Sequence, residues 1–282
     1  MPGRCAFPRN EIWITVCLRA EASLRPVFTR SIWRKVETRR NSLNESPLIG
    51  IHACVFDAYG TVFDYASAAA RCREELGDKF VPLNALWREK QLQYTWLRGL
   101  QGRHADFWVV TGDALSFAME TLGLSGGALH ERLMNLYLRL ETFPEVLPVL
   151  GRLKAAGLKT AILSNGSPDM LQKTVSNAGM GHLLDAILSV EEVGVYKPHP
   201  KVYQLAVDRL CVAREAISFQ SSNAWDAYAA SAFGMRVVWC NRYGQRPEHL
   251  PGKPDREVRS LAELPRLVLP GGASEDQEPH VA

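Results

Sequence analysis

The segment VFDAYGTVFD (residues 55–64) places Asp57 directly after a short apolar run, and Tyr59 and Thr61 follow it closely. An aspartate in such a position has three ordinary uses: it forms a turn, it binds a metal ion, or it attacks an electrophile as a nucleophile. The choice among them depends on which other polar groups the fold brings to the same place.

Three later segments also place polar side chains at or after the ends of apolar runs. The first contains Ser164 and Asn165, the second contains Lys197, and the third is SSNAWD (residues 221–226). Alone, a Ser-Asn pair is more often a helix cap, and a lone lysine is more often solvated. The carboxyl ends of parallel strands meet at one edge of a sheet, so four such segments in succession predict one polar crevice.

The elements that would position these side chains alternate along the chain. Apolar runs typical of strands buried on both faces occur at residues 53–56, 158–165, 186–190, 216–223 and 236–241. Helical patterns separate the later runs, and several of these patterns end at a glycine. This alternation predicts an α/β fold with a doubly wound parallel sheet.

The interval between the first two predicted strands is longer than a crossover helix requires. It contains helical patterns at residues 66–76, 83–100, 105–122 and 128–140. We therefore expect a helical cap subdomain at residues 65–140, inserted into an α/β core of residues 51–64 and 141–268. The cap would lie over the carboxyl end of the sheet, where open α/β sheets bind ligands.

The charge distribution separates the first fifty residues from the rest. Residues 1–50 hold nine Lys/Arg and four Asp/Glu, whereas the remainder holds 24 and 26, so the net charge of +3 originates in this segment. The predicted core therefore has no basic excess to attract a nucleic acid. We expect residues 1–50 to be a disordered or mis-assigned extension and residues 269–282 to be a disordered tail.

The composition and residue spacing leave a small molecule as the expected partner of the protein. The six cysteines are scattered without a C-x-x-C pair, which is typical of a reducing compartment and favours a cytoplasmic protein. No apolar run approaches the roughly 20 residues of a membrane span, so no membrane partner is predicted. The seven histidines do not cluster at ligand spacing, and the sequence predicts neither a metal nor another cofactor.

Five segments together resemble the haloacid dehalogenase superfamily, and specifically the L-2-haloacid dehalogenases. They are FDAYGTVFD, LWREKQLQYTWLRGL, AILSNGSP, VYKPHPKVY and SSNAWDA, and they lie between about residues 52 and 267. The resemblance implies a Rossmann-like core with a cap, a homodimer, and hydrolysis of short (S)-2-haloacids to (R)-2-hydroxyacids. In that family the reaction passes through an aspartyl ester, inverts C2 and needs no metal.

Two positions distinguish this sequence from the phosphatases of the same superfamily. Those enzymes carry an aspartate two residues after the nucleophile as general acid, and another in the fourth loop that binds Mg²⁺. Here Tyr59 and Asn223 stand at or near those positions. A phosphoryl group needs the metal to neutralise its charge, whereas an alkyl halide brings no such charge to the reacting carbon.

The resemblance also implies a role for individual residues. Asp57 would attack C2, Arg88 and Asn165 would receive the halide, Ser164 would bind the substrate carboxylate, and Asp226 would orient or activate water. The residues implied to be catalytic are Asp57, Thr61, Arg88, Ser164, Lys197, Tyr203, Ser221, Asn223 and Asp226. Those implied to bind the substrate are Ala58, Tyr59, Arg88, Leu92, Phe107, Ser164, Asn165 and Trp225.

Some alternatives remain open from the sequence. For Tyr59, Leu92, Phe107 and Trp225, ordinary core packing is an equally good interpretation. For the whole chain, the alternatives are a Mg²⁺-dependent phosphatase of the same superfamily and a non-catalytic binding protein on this scaffold. Halide release measured with and without a chelator, beside a phosphatase assay, separates the three.

Overall fold

The computed structural model describes residues 46–65, 67, 72–124 and 126–270. The predicted N-terminal extension up to residue 45, and the predicted tail beyond residue 270, lie outside the described residues.

The central sheet has the predicted topology. The strands are β1 (Ala53–Phe56), β2 (Phe63–Asp64), β3 (Glu141–Thr142), β4 (Lys159–Ser164), β5 (Ala186–Ser189), β6 (Ile217–Ser221), β7 (Arg236–Cys240) and β8 (Arg256–Val258). Six of them form one parallel sheet in the order β5-β4-β1-β6-β7-β8. The doubly wound parallel sheet is therefore confirmed, and all five predicted strands are found within two residues of their expected ends.

The order of the strands creates a crevice beside β1. The chain adds β4 and β5 on one side of β1 and then returns to add β6, β7 and β8 on the other. Right-handed crossovers in opposite directions place the connecting helices on opposite faces, and the loops diverge where the direction reverses. All four residues of β1 are buried, so the loop that follows it leaves from the middle of the sheet.

Helices cover the sheet and form the insertion. They are α1 (Arg73–Leu76), α2 (Phe80–Leu100), α3 (Phe107–Thr121), α4 (Gly127–Tyr137), α5 (Val146–Ala155), α6 (Pro168–Asn177), α7 (Pro200–Leu210), α8 (Ala224–Phe233) and α9 (Leu264–Val268). Helices α5 and α7 pack on β4, and α8 packs on β6 and β7. None of the helices in the described part of the chain combines the length and apolarity needed to cross a membrane.

Helices α1 to α4 interrupt the chain between β2 and β3, and we refer to residues 72–140 as the helical segment. Helix α2 is its longest member, and it buries Phe80, Leu83, Trp87, Gln91 and Thr95 at helical spacing while packing along α3. It begins three residues earlier than the pattern predicts, because Pro82 is tolerated in a first turn. The short antiparallel pair β2–β3 ties together the two chain connections that enter and leave this segment.

Three strands escape the sequence pattern. Strand β8 has three residues, of which only Val258 is buried, so an edge position leaves no apolar run to detect. Strands β2 and β3 have two residues each. Segments this short carry no periodicity, and only the pairing of residues far apart in sequence defines them.

The residues just before β1 correct the predicted boundary of the extension. Leu48 is only 3% exposed and belongs to the hydrophobic core. Its amide donates to the Leu267 carbonyl at 2.6 Å, and Arg256 donates to the Ser46 carbonyl at 2.8 Å. Residues 46–50 therefore contact the sheet domain, although the charge pattern places them in the extension.

We expect a chain that begins at Ile51 to be less stable than one that begins at Ser46. The shorter chain loses the burial of Leu48 and two hydrogen bonds, which together stabilise the fold by about 2–3 kcal/mol. Urea unfolding followed by tryptophan fluorescence measures the difference. Equal unfolding midpoints for the two chains would show that Leu48 contributes nothing to the core.

Candidate active site

Asp57 stands at the point where β1 ends and the crevice begins. Its amide donates to the Gln220 carbonyl at 2.9 Å, which continues the β1–β6 pairing by one residue. The loop then turns sharply around Ala58, whose carbonyl accepts from the amides of residues 61–63. Gly60 has φ +87°, a left-handed conformation that residues with a Cβ rarely adopt. The turn therefore fixes the carboxylate against the sheet.

Three side chains from separate elements hold the Asp57 carboxylate. Thr61 Oγ1 donates to Oδ2 at 3.0 Å, and Asn223 Nδ2 donates to the same oxygen at 2.8 Å. Lys197 Nζ donates to Oδ1 at 3.0 Å. Every one of these partners is a donor, so the contacts orient the carboxylate that would act as the nucleophile.

Lys197 joins Asp57 to a second carboxylate. Its side chain is 1% exposed, and Nζ donates to Asp226 Oδ2 at 2.8 Å. Tyr203 donates to the other oxygen of Asp226 at 2.7 Å. The structure thus brings Asp57, Lys197, Asp226 and Tyr203, which lie in four separate parts of the sequence, into one buried network.

The network fixes the charge on Lys197. Burial alone would lower the pKa of Lys197, but the charges of Asp226 and Asp57 outweigh burial and raise that pKa above its ordinary value. Burial raises the pKa of Asp226, and the charge of Asp57 acts in the same direction against the opposing effects of Lys197 and Tyr203. Lys197 therefore stays cationic at neutral pH and faces the reacting carboxylate.

Arg88 brings a second positive charge from the helical segment. Its Nη2 donates to Asn223 Oδ1 at 3.2 Å, and its Nη1 donates to Gln91 Oε1 at 2.7 Å. Asn223 therefore bridges Arg88 and Asp57. Within the part of the chain that the structure describes, Arg88 has no carboxylate partner, and its hydrogen bonds go to neutral amides. A half-buried guanidinium in this state can accept an anion.

An aromatic wall stands beside the nucleophile. The Tyr59 ring lies 5.9 Å from that of Phe107 and 5.3 Å from that of Tyr137. The Tyr59 hydroxyl is buried without a hydrogen-bond partner among the described residues, and burial raises its pKa well above the ordinary value. A Cβ at Gly166 would lie 2.8 Å from this hydroxyl, so the close approach requires glycine. Tyr59 thus presents a neutral phenol and an apolar ring.

The loops after β4 and β6 are fixed by their own polar groups. Ser164 is buried, and its Oγ accepts from the Gly166 amide at 3.0 Å. Asn165 Oδ1 accepts from the Lys197 amide at 3.0 Å, so it orients the lysine loop. Ser221 Oγ bonds only to the backbone of Asn223 among the described residues. Ser221 therefore positions Asn223 and does not itself reach Asp57.

Two residues of the predicted substrate pocket are less closely associated with the nucleophile. Trp225 is half-buried and packs edge-to-face on Trp96, with 5.6 Å between ring centroids. Leu92 is half-buried on α2 and lies outside the hydrophobic core of the described residues. Both are only half-buried, in contrast to the buried Ala58 and Phe107.

Sequence reasoning missed two residues that position Arg88. Gln91 is buried and accepts from Arg88, while its Nε2 donates to Thr111 at 2.8 Å and to Tyr137 at 3.2 Å. The available signal was a glutamine three residues after an arginine, on the apolar face of a helix. The role of Tyr137 had no such signal, because its partners lie on other elements.

The site does not fit the Mg²⁺ of a superfamily phosphatase. Lys197 Nζ already lies within 3.0 Å of Asp57 and 2.8 Å of Asp226, and an ammonium there repels a second cation. Asn223 faces Asp57 with its amide nitrogen, a donor that cannot coordinate a metal. Among the described residues, no group of three His, Cys, Asp or Glu is arranged to hold a metal ion.

A family model for haloacid dehalogenase-like hydrolases matches residues 51–234. The chain belongs to the haloacid dehalogenase-like hydrolase family, which confirms the resemblance seen in the sequence. Within it, the chain is 44% identical over 220 residues to (S)-2-haloacid dehalogenase 1 of Pseudomonas sp. (strain CBS-3), covering 78% of this chain and 97% of the relative. It is 47% identical over 218 residues to the (S)-2-haloacid dehalogenase of Pseudomonas sp. (strain YL), covering 77% and 94%.

Solved structures give the same result. A dehalogenase crystal structure matches with a TM-score of 0.77 and 42% identity, over 79% of this chain and 99% of that chain. The L-2-haloacid dehalogenase of Xanthobacter autotrophicus with chloropropionic acid covalently bound matches with a TM-score of 0.72 and 39% identity, over 77% and 98%. Nearly the full length of each relative is therefore present in this chain.

Proposed function

We propose that this protein is an (S)-2-haloacid dehalogenase, which hydrolyses short 2-haloalkanoic acids through an ester of Asp57. The observation that carries the proposal is the set of contacts around Asp57. Three donors hold its carboxylate, and the cationic Arg88 lies across Asn223 from it without a carboxylate partner of its own among the described residues. A nucleophile and an anion acceptor are thus held in one crevice.

In the first step an oxygen of Asp57 attacks C2 of the substrate from the side opposite the halogen. The new C–O bond forms as the carbon–halogen bond breaks, and the halide leaves with the bonding electrons toward Arg88. Attack from the opposite side inverts C2. The relative from Xanthobacter autotrophicus, whose structure has chloropropionic acid covalently bound, supports an ester intermediate.

In the second step water attacks the carbonyl carbon of the Asp57 ester. The bond between that carbon and the ester oxygen attached to C2 breaks, so the hydroxyacid leaves with an oxygen that came from Asp57 and takes up the proton that the water has lost. Lys197 bonds to one oxygen of this carboxyl group and stabilises the negative charge that develops on it. We assign the orientation of the water and the acceptance of its proton to Asp226, which Tyr203 and Lys197 hold in place.

The other groups complete the substrate site. Ser164 and the neighbouring backbone would bind the substrate carboxylate, and Asn165 would assist Arg88 with the halide. Tyr59 and Phe107, with the half-buried Leu92 and Trp225, would surround the carbon chain. We propose that residues 65–140 act as the cap on a core formed by residues 51–64 and 141–268, because Arg88 reaches the nucleophile network from α2.

We infer a homodimer from the family resemblance. Cys54, Cys72, Cys211 and Cys240, the described cysteines, are free, which favours a reducing cytoplasmic compartment.

We expect L-2-chloropropionate to release chloride and yield (R)-lactate, and the D enantiomer to react at least about 100-fold more slowly. Asp57, Arg88 and the carboxylate site define three fixed contacts, so only one hand of C2 presents its rear face to the nucleophile. Chloride release is measured with both enantiomers, and chiral chromatography gives the configuration of the lactate. Chloroacetate, which has no stereocentre, is the positive control.

The same assay separates the alternatives. EDTA should leave the rate of chloride release unchanged, and p-nitrophenyl phosphate with Mg²⁺ should not be hydrolysed. Equal rates for both enantiomers would contradict attack by a fixed nucleophile. Loss of activity in EDTA with recovery in Mg²⁺ would favour the phosphatase-like reading of the site. Inactivity toward all substrates would favour a binding protein.

A further inference from the structure

Arg242 is a buried arginine just past the end of β7, outside the residues that the proposed reaction uses. Its Nη1 contacts Glu145 at 2.5 Å, and both side chains are largely buried, with 9% and 15% of their surface exposed. Its Nη2 donates to the Thr61 carbonyl at 2.9 Å. The guanidinium also lies 3.8 Å from the centroid of the Phe143 ring.

These contacts hold both chain connections between the sheet and the helical segment. Thr61 belongs to the outgoing connection, while Phe143 and Glu145 belong to the returning one. The two connections also bond to each other, since the Phe143 amide donates to the Val62 carbonyl at 3.1 Å. One guanidinium therefore contacts both connections. These are the two segments that would have to bend if the helical segment moved relative to the sheet.

The bond to Thr61 connects this place to the nucleophile. Thr61 Oγ1 donates to Asp57, and the same oxygen accepts from the Ser222 amide at 2.8 Å. Arg242 holds the backbone carbonyl of Thr61. The threonine is therefore fixed at both ends, and its hydroxyl has one direction in which to point.

We propose that Arg242, with Glu145, is a positioning residue for the nucleophile: it holds Thr61 in the orientation that aligns the Asp57 carboxylate. The expected effect on kcat rests on the proposed function, whereas the expected effect on the position of Thr61 rests on the contacts alone. A planar fork that bonds to a carboxylate and a carbonyl while stacking on an aromatic ring requires arginine, so lysine replaces it only in part.

We expect Arg242→Met to lower kcat for L-2-chloropropionate about 10- to 100-fold and to change KM by less than about threefold, because misaligned groups slow chemistry more than binding. Arg242→Lys should fall between this variant and the wild type. The matched control is Arg236→Met, which removes a half-buried pair with Asp255 at the start of β7, away from Asp57, and should leave kcat within about twofold.

A double-mutant cycle separates positioning from general destabilisation. If Arg242 acts through Thr61, then Arg242→Met added to Thr61→Val should lower kcat little further. Multiplicative losses would overturn the proposal, as would an Arg242→Met kcat equal to that of Arg236→Met. If Arg242→Met fails to fold, the same cycle is run with Arg242→Lys, and the same two outcomes decide.

A measurement without substrate keeps this inference distinct from the proposed function. Exchange of the Ser222 amide hydrogen, which bonds to Thr61, should accelerate at least about tenfold in Arg242→Met and remain unchanged in Arg236→Met. Unchanged exchange in both variants would overturn the positioning role. A wild type that releases no halide would overturn the proposed function alone.

Discussion

Asp57→Asn lowers kcat for L-2-chloropropionate about 10⁴-fold or more, because an amide is too weak a nucleophile to displace the halide. Chloride release at saturating substrate measures the effect. The variant protein is checked by intact mass, since hydrolysis of the new amide would restore the aspartate. Undiminished activity in protein shown to contain asparagine would exclude Asp57 as the nucleophile.

The fold should survive this substitution at a modest cost. The Asp57 oxygens accept from three donors, and an amide necessarily turns one NH₂ group toward some of them. We expect a loss of about 1–3 kcal/mol in the free energy of unfolding, as for one buried hydrogen bond left unmade. Asp113→Asn, which removes an exposed carboxylate paired with Arg98, is the control for kcat and should leave it unchanged.

The covalent mechanism also predicts where an oxygen label enters in the wild-type enzyme. In a single turnover in ¹⁸O water with enzyme in excess, the label enters the Asp57 carboxylate, because water attacks the ester carbonyl and not C2. Mass spectrometry of the peptide that contains Asp57 detects the two-dalton increase. Label in the lactate under these conditions would mean direct attack by water.

The sheet could be predicted because its strands are buried on both faces. Burial of this kind produces apolar runs that do not depend on any particular partner, and the β1 and β4 runs needed no knowledge of the rest of the chain. Strand β8 is defined only by its pairing with β7, because two of its three residues are only half-buried. Local pattern therefore identifies the strands with apolar runs, including the edge strand β5, and misses the half-buried edge strand β8.

The sequence likewise predicts one part of the candidate site and not another. Asp57, Asn223 and Lys197 follow strands or their loops, so topology alone predicts that they share a crevice. Lys197 Nζ lies 3.0 Å from an oxygen of Asp57 and 2.8 Å from an oxygen of Asp226. No rule of sequence spacing predicts hydrogen-bond distances between such distant residues. The role of Arg242 is harder still to predict from the sequence, since its partners Glu145 and Thr61 lie far away in sequence on segments that only the fold brings together.

Lys197→Met lowers kcat about 10³-fold, because the site loses the ammonium that holds Asp57 and faces the charge developing in the second step. Methionine has a similar length and no charge, so it tests the charge more than the volume. Lys154→Met, which removes an exposed pair with Asp185, is the control and should leave kcat unchanged. Activity within tenfold of the wild type would remove Lys197 from the mechanism.

The free energy of unfolding of Lys197→Met should depend on pH. The direction of that dependence shows whether the lost charge or the lost packing destabilises the variant. Without the ammonium, Asp57 and Asp226 share a buried site, which costs about 3–5 kcal/mol when both are ionised. Burial and the like charge of Asp57 raise the pKa of Asp226 above its ordinary value, so the native state binds a proton that the unfolded state does not. Stability therefore rises as the pH falls from 8 toward 5, relative to the wild type. Thermal unfolding across this range measures the trend. A destabilisation that is the same at both ends would mean that Lys197 acts by packing, and that its contacts with the two carboxylates are incidental.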